Sequence, residues 1–290
     1  MQKYCYHARI DIQVEIVILI RILWQPIEER ELAMAKIFIT GSSDGIGLRT
    51  AQELVKLGHS VVLHARNQER AKEVFTSFPK DVPVVFGDLA SLDETSGLAA
   101  AADKFGPYDV IIHNAGIGGG SEGRVLTNDG LERIFQVNVL APYLLTSLME
   151  KAKKMIYLSS GLEAAGRPRF DDILHGHGVF DGMQAYSDSK LYDVMLAFAV
   201  ARLWDNVFSN AVDPGWIKTK LGGSNATDNL DRGAETQIWL TEGVDPDSLV
   251  NGKYFKWKQE LTANPAAYDV QMQEQLLAIC EEMTGVPFRR

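Results

Sequence analysis

From residue 36 onward, short apolar runs alternate with amphipathic ones. "KIFIT" (36–40) is too short and too apolar for anything but a buried strand. After a glycine-rich turn, "LRTAQELVKLG" places apolar residues at helical spacing and stops at Gly58. "SVVLHA" predicts a second strand and "NQERAKEVFTSF" a second helix. "VPVVFGDL", an alanine-rich helix over 92–105, and "YDVIIHNAG" follow. A helix over 129–150, "KMIYLSSG", a helix over 184–203 and "VFSNAVDPG" continue the series. Strands that alternate with helices need crossover connections, which build a parallel sheet covered on both faces. The predicted fold is α/β: a doubly wound parallel sheet of Rossmann type, forming a single domain over 34–290.

The first 33 residues do not share this rhythm. "VEIVILIRILW" (14–24) is strongly apolar, but Glu15 and Arg21 interrupt it, and it falls short of a membrane span of about 20 residues. As a signal peptide it fits poorly, because the charged "EEREL" separates the apolar run from the small residues at 33–35. Residues 1–33 are therefore expected to be a dispensable extension ahead of Met34, with no stable membrane span.

Composition narrows the function classes. The net charge is −9 and basic residues form only short runs, such as "KAKK" at 151–154, which argues against nucleic acid or an anionic membrane as partner. Cys5 and Cys280 are the only cysteines and lie near opposite ends, so no disulfide framework is implied and a cytoplasmic setting fits.

Gly41, Gly45 and Gly47 fall within seven positions between the first strand and its helix. Such a turn gathers free backbone N–H groups and the positive helix end at one point, where a pyrophosphate sits in dinucleotide-binding folds. By itself this Gly-x-x-x-Gly-x-Gly spacing is weak, since glycine turns also serve packing.

Tyr186 and Lys190 stand four residues apart, on one face of the predicted helix. A phenol with a pKa of about 10 is a poor acid or base until a nearby cation stabilises its phenolate. A second such pair, Tyr254 and Lys258, lies in "GKYFKWK" without a serine-bearing strand end just upstream, and is read as structural. Tyr186, by contrast, follows Ser159-Ser160 and precedes Pro214-Gly215.

With these pieces in order, the chain resembles the short-chain dehydrogenase/reductase family over roughly residues 35–260. The matching motifs are Thr40-Gly41-Ser-Ser-Asp-Gly45-Ile46-Gly47, Asp88-Leu89, Asn114-Ala115-Gly116, Asn138, Ser160, Tyr186-x-x-x-Lys190 and Pro214-Gly215 with Thr219. The resemblance implies hydride transfer between a nicotinamide and a carbonyl or alcohol substrate, with Tyr186 as general acid/base. It further implies that Ser160 bonds the reacting oxygen, that Lys190 lowers the Tyr186 pKa and holds the ribose, and that Asn138 anchors a water. The implied cofactor contacts are Gly41, Ser42, Ser43, Gly45, Ile46 and Gly47 in the turn, then Arg66, Asp88 and Leu89. Asn114, Ala115, Gly116, Tyr186, Lys190, Pro214, Gly215, Ile217 and Thr219 complete the set. No metal is required.

The gap from Ser160 to Tyr186 is longer than in many relatives. The inserted "GRPRFDDILHGHGVFDGMQ" and the late "NGKYF" resemble the branch that includes retinol dehydrogenases and protochlorophyllide reductases. The insertion is expected to line the pocket. Asp171, Asp172, His175 and His177 within it have the look of a metal cluster, although a polar, glycine-rich loop explains them equally well. "LGGSNATDNLDRG" (221–233) is expected to be a mobile lid. "LYDVMLAFAVARLW" (191–204) is too apolar all round for a helix with a wet face, which predicts a homodimer or homotetramer.

Cofactor choice is legible at the end of the second strand. Relatives that prefer NAD place an acidic residue there to accept from the ribose 2′-hydroxyl. Here the position is Ala65, followed by Arg66, whose guanidinium can bind two phosphate oxygens, with Ser42 adding a hydrogen bond. NADP, with NADPH preferred over NADH, is the expected cofactor. The alternative function is a catalytically silent NADP-binding regulator of the same fold. Such proteins usually lack the tyrosine or the lysine, and both are present. A sugar-nucleotide epimerase is disfavoured by the short chain after Gly215.

Overall fold

A computed structural model describes residues 34–74, 77–78, 82–119 and 123–290. The expectation for the extension at 1–33, including its apolar run, lies outside these residues. Among the described residues, no helix is long and apolar enough to cross a membrane.

Each predicted strand forms. β1 (Lys36–Ile39), β2 (Ser60–Ala65), β3 (Val84–Phe86), β4 (Val110–His113), β5 (Lys154–Leu158) and β6 (Phe208–Asp213) pair in parallel, and β7 (Tyr254–Lys256), which the alternating pattern did not predict, extends them in parallel. The order is β3-β2-β1-β4-β5-β6-β7-β8, and β8 (Gln259–Leu261) adds an antiparallel edge that the alternating pattern did not predict. β1 shows why the strands read as unbroken apolar runs. Phe38 packs on one face with Val62 and Ile111, and Ile37 and Ile39 pack on the other with Leu63 and Ile112. Successive side chains point to opposite faces, so a strand covered on both sides needs apolar residues throughout.

The helices are α1 (Gly45–Lys56), α2 (Gln68–Val74), α3 (Leu92–Asp103), α4 (Arg133–Phe135), α5 (Ala141–Leu148), α6 (Gly182–Leu203), α7 (Leu230–Glu242) and α8 (Val270–Thr284). Between α4 and α5 the backbone widens into a π-helical turn at Gln136–Leu140, so the single helix expected over 129–150 is split. Nothing in the hydrophobic pattern signals that turn. Leu230 to Gly233, expected in a loop, open α7 instead, with Asn229 capping its first turn by accepting from the Arg232 N–H.

The apolar circumference of α6 is covered from within the chain. Residues Ser187 to Val200 are buried beneath β5, β6, the 3₁₀ turn Pro265–Tyr268 and α8, whose Leu276, Leu277 and Cys280 face the core. Phe198 meets Tyr268 with ring centroids 5.1 Å apart. Burial within the chain therefore accounts for the all-apolar helix, and its cover by the C-terminal helix is not visible in the apolar pattern.

Candidate active site

The parallel strands end on one edge of the sheet, where the order reverses between β1 and β4. Ligands bind at such a switch point because the flanking loops diverge there. A cleft of about 550 Å³ runs along this edge, bordered at one end by Gly41, Ser43, Gly45, Ile46, Arg66 and Asp88 and at the other by Tyr186 and Lys190. Leu89, Asn114, Ala115, Gly116, Pro214 and Thr219 border it between them.

The glycine turn is shaped by its own geometry. Gly41 and Gly45 adopt φ of +61° and +57°, a region that side chains disfavour. A Cβ on Gly41 would lie 2.8 Å from the Ala115 Cα, and one on Gly47 would lie 2.4 Å from Asn114 Nδ2. Asn114 fastens the turn by donating to the carbonyls of Thr40 and Gly41. α1 then begins at Asp44-Gly45 with no side-chain cap and no acidic residue in its first turn. Its amide groups and positive end are thus free to receive an anion. Gly47 does not border the cleft; its role is close packing of α1 on the β4 end.

Ser42 is corrected. Its hydroxyl is fully buried, donates to the Ile39 carbonyl and accepts from the His64 N–H, so it ties β1 to β2 and faces no ligand. Arg66 follows Ala65, the buried last residue of β2, and donates from Nε to Asp88 Oδ2 at 2.8 Å.

At the other end, α6 presents Tyr186 and Lys190 to the cleft one turn apart, with the ammonium 5.8 Å from the phenol ring centre. Lys190 is 3% exposed, donates to the Leu158 carbonyl at 2.9 Å, and pairs with Asp193 at 2.7 Å. Of the two serines, Ser159 spends its hydroxyl proton on the Lys190 carbonyl. Ser160 is half-buried and accepts from the Leu162 N–H at 3.3 Å; among the described residues it donates to no acceptor, which leaves its proton for a ligand. Ser160, Asn138, Gly215 and Ile217 do not border the cleft itself. The Asn138 amide is spent on the loop after β4, accepting from the Ile117 N–H and donating to its carbonyl and to Ser189.

Tyr254 and Lys258 separate, as expected of a structural pair. Tyr254 is buried on β7 and donates to the Ser160 carbonyl at 3.1 Å, while Lys258 sits at φ +64° in the turn before β8. Asp213, to which the sequence gave no role, accepts from the Gly215 N–H and pairs with Lys256 at 2.9 Å.

Among the described residues, none between 161 and 185 borders this cleft. The insertion is fastened to the back of α6. Buried Asp188 accepts from the Arg167 N–H and from Gln184, and lies 3.2 Å from His175 Nε2. His177 pairs instead with Asp172, so the two histidines face different carboxylates. The 221–233 run is pinned at its neck by a bridge between Ile217 and Asp228, and Leu221 reaches the cleft.

The sequence profile described as short chain dehydrogenase matches residues 35–230. The chain belongs to the short-chain dehydrogenase family. As a member of that family it is an oxidoreductase of a kind that binds nicotinamide cofactors. It is 44% identical to an uncharacterized oxidoreductase of Emericella nidulans, over 87% of this chain and 98% of that protein. It is 29% identical to human retinol dehydrogenase 14, over 86% of each chain, in keeping with the retinol dehydrogenase-like pattern of its motifs. An uncharacterized protein from Mycobacterium paratuberculosis shares the fold at a TM-score of 0.78 and 24% identity, covering 92% of this chain and 99% of its own.

Two residues of this dehydrogenase site were missed in the sequence. His64 accepts from the Gly41 N–H at 2.9 Å through Nδ1, and its Nε2 meets the Gly87 carbonyl at 2.9 Å, so it joins the glycine turn to the β3 end. Burial pushes its pKa down to about 4, which keeps the ring neutral. Asp193 stands three residues beyond Lys190, a spacing that places both on one helix face and was available as a signal.

Proposed function

We propose that this chain is an NADP-dependent oxidoreductase that interconverts a carbonyl and an alcohol, with Tyr186 as general acid/base. The carrying observation is that one continuous cleft is bordered by the open N-terminus of α1 and by Arg66 at one end, and by Tyr186 with Lys190 at the other. The residues fit a dinucleotide: the glycine turn, packed too closely on Ala115 for a side chain at Gly41, borders the cleft with its main chain, and the uncapped α1 suits a pyrophosphate. The amides at 43–46 would hold the pyrophosphate, Asp88 and Leu89 the adenine side, Arg66 a 2′-phosphate, and Lys190 and Thr219 the nicotinamide side. When bound, the cofactor supplies or accepts the hydride at the substrate carbon.

The chain's own residues handle the proton. In reduction, Tyr186 donates its phenolic proton to the developing alkoxide, and Ser160 holds that oxygen through its uncommitted O–H. The Lys190 cation stabilises the phenolate left behind. The Asn138 side chain is occupied, so a water-anchoring role falls to its main chain in the π-turn. Pro214, Gly215 and Ile217 shape the wall that carries Thr219.

The substrate is a small-molecule carbonyl or alcohol, and the setting we propose is cytoplasmic. Purified protein is to be assayed with NADPH against ketones, aldehydes, quinones and retinoids. Turnover of none of them, with NADPH still bound, would favour the silent regulator.

A further inference from the structure

We propose that Asp193 is a positioning residue that keeps Lys190 charged and aimed at the cleft. This rests on the reading of Tyr186 and Lys190 as the catalytic pair. Both members of the ion pair are 3% exposed, and Nζ lies 2.7 Å from Oδ2. An ammonium carries three protons. One goes to the Leu158 carbonyl and one to Asp193, which fixes the third toward the cleft wall, where a Cβ on Gly116 would be 3.3 Å away. A lone ammonium at such depth would be strongly disfavoured by the loss of its water and would tend to shed its proton.

The balance of forces agrees with this geometry. Burial works against the charge of Lys190, yet the charge of Asp193 and its hydrogen bond, with a further contribution from Tyr186, outweigh it and the lysine pKa is raised. Burial likewise pushes Asp193 up to about 6, against the pull of Lys190, so the pair is fully ionised only above that point.

Among the described residues, no other titratable group on the surrounding elements replaces Asp193. Burial holds His113 on β4 neutral by lowering it to about 3, and keeps Tyr157 on β5 and Tyr254 on β7 neutral by raising them. The Cys280 thiol on α8 is raised in the same way. Asp213 on β6 is paired with Lys256, and Glu163, on the turn after β5, accepts from the Asn264 N–H and is raised chiefly by burial. Arg133 on α4 borders the cleft and carries the wrong sign.

The test compares Asp193→Asn, Lys190→Ala and the double variant with the wild type. NADPH oxidation is followed across pH 6 to 10 with whichever carbonyl of the screening panel is reduced fastest. Asp193→Asn is expected to bring the alkaline fall in kcat/KM down by at least one pH unit, roughly a tenfold loss at about pH 9. In the Lys190→Ala background the same substitution is expected to cost nothing further, because Asp193 acts through the lysine. A profile that superimposes on wild type, or an equal loss in both backgrounds, overturns the inference.

If Asp193→Asn does not fold, Asp193→Glu reads the same contact. The longer carboxylate keeps the charge but displaces the ammonium, so kcat/KM is expected to fall severalfold with the alkaline limb in place. Unchanged kcat/KM in that variant overturns the inference. Failure of the underlying reading is separately visible, since Tyr186→Phe would then still turn over.

Discussion

Arg66 reaches Asp88 through Nε alone, at 2.8 Å, and among the described residues its two terminal nitrogens take no partner. The carboxylate at the β3 end thus orients the guanidinium after β2 without consuming the groups that bind phosphate oxygens in pairs. A contact of that kind is worth about 1.5–3 kcal/mol, or roughly ten- to a hundredfold. NADPH is therefore expected to exceed NADH by at least tenfold in catalytic efficiency. Arg66→Ala should lose most of that margin, and Asp88→Ala part of it. Steady-state kinetics with both cofactors decides; an unchanged ratio in Arg66→Ala would reject the assignment.

Tyr186→Phe is expected to abolish turnover while NADPH binding, read by fluorescence titration, survives. Tyr254→Phe removes a buried bond to the Ser160 carbonyl, so stability should fall by about 1 kcal/mol with activity reduced only a few-fold. Comparable kinetic losses in the two variants would reject the choice between the two pairs.

His64 is neutral because it is buried, and its folded pKa of about 4 lies below the ordinary value of 6.5. A histidine depressed in this way contributes stability that is present above pH 6.5 and lost as pH falls through 4. Melting temperature is expected to decline across that window, and less steeply in a His64 variant. His64→Asn keeps an acceptor for the Gly41 N–H, whereas His64→Gln keeps a donor for the Gly87 carbonyl. NADPH affinity should survive better in His64→Asn. The reverse order would show that the β3 contact, not the turn, matters.

The C-terminal segment closes the molecule over α6. Phe288 stacks on Trp204 with centroids 5.6 Å apart, and Arg289 donates to the carbonyls of Leu148 and Met149. Removing residues 265–290 is expected to uncover α6 and drive self-association, visible by light scattering. A truncated chain that stayed folded at the same oligomeric state as the full chain would refute this.

Deleting residues 1–33 is expected to leave solubility and activity intact, since the matched family profile begins at residue 35. Loss of soluble protein would show that the apolar run at 14–24 packs on the domain.

The sheet was legible because strands buried on both faces have to be written as apolar runs, as Ile37, Phe38 and Ile39 are. Tyr186 and Lys190 were legible because helical spacing makes them neighbours. What stayed hidden involved contacts between distant segments. Ser42 looks like a ligand in a glycine turn until its hydroxyl is seen bridging Ile39 and His64, 22 residues further on. The α8 cover on α6 was hidden for the same reason, since periodicity tells which face is apolar but not what lies against it.

The π-turn at Gln136–Leu140 sets a phase within its helix. The Ala141 N–H reaches back five residues to the Gln136 carbonyl, which leaves Asn138 clasping Ile117 while α5 keeps its own face on the core. Each residue of an α-helix advances the screw by about 100°, so dropping one residue here would straighten the helix and turn its two halves against each other by that angle. Every named side chain would remain in the sequence, yet either the clasp on Ile117 or the seating of α5 would be lost. This stretch is thus intolerant of changes in length even where it tolerates changes in identity.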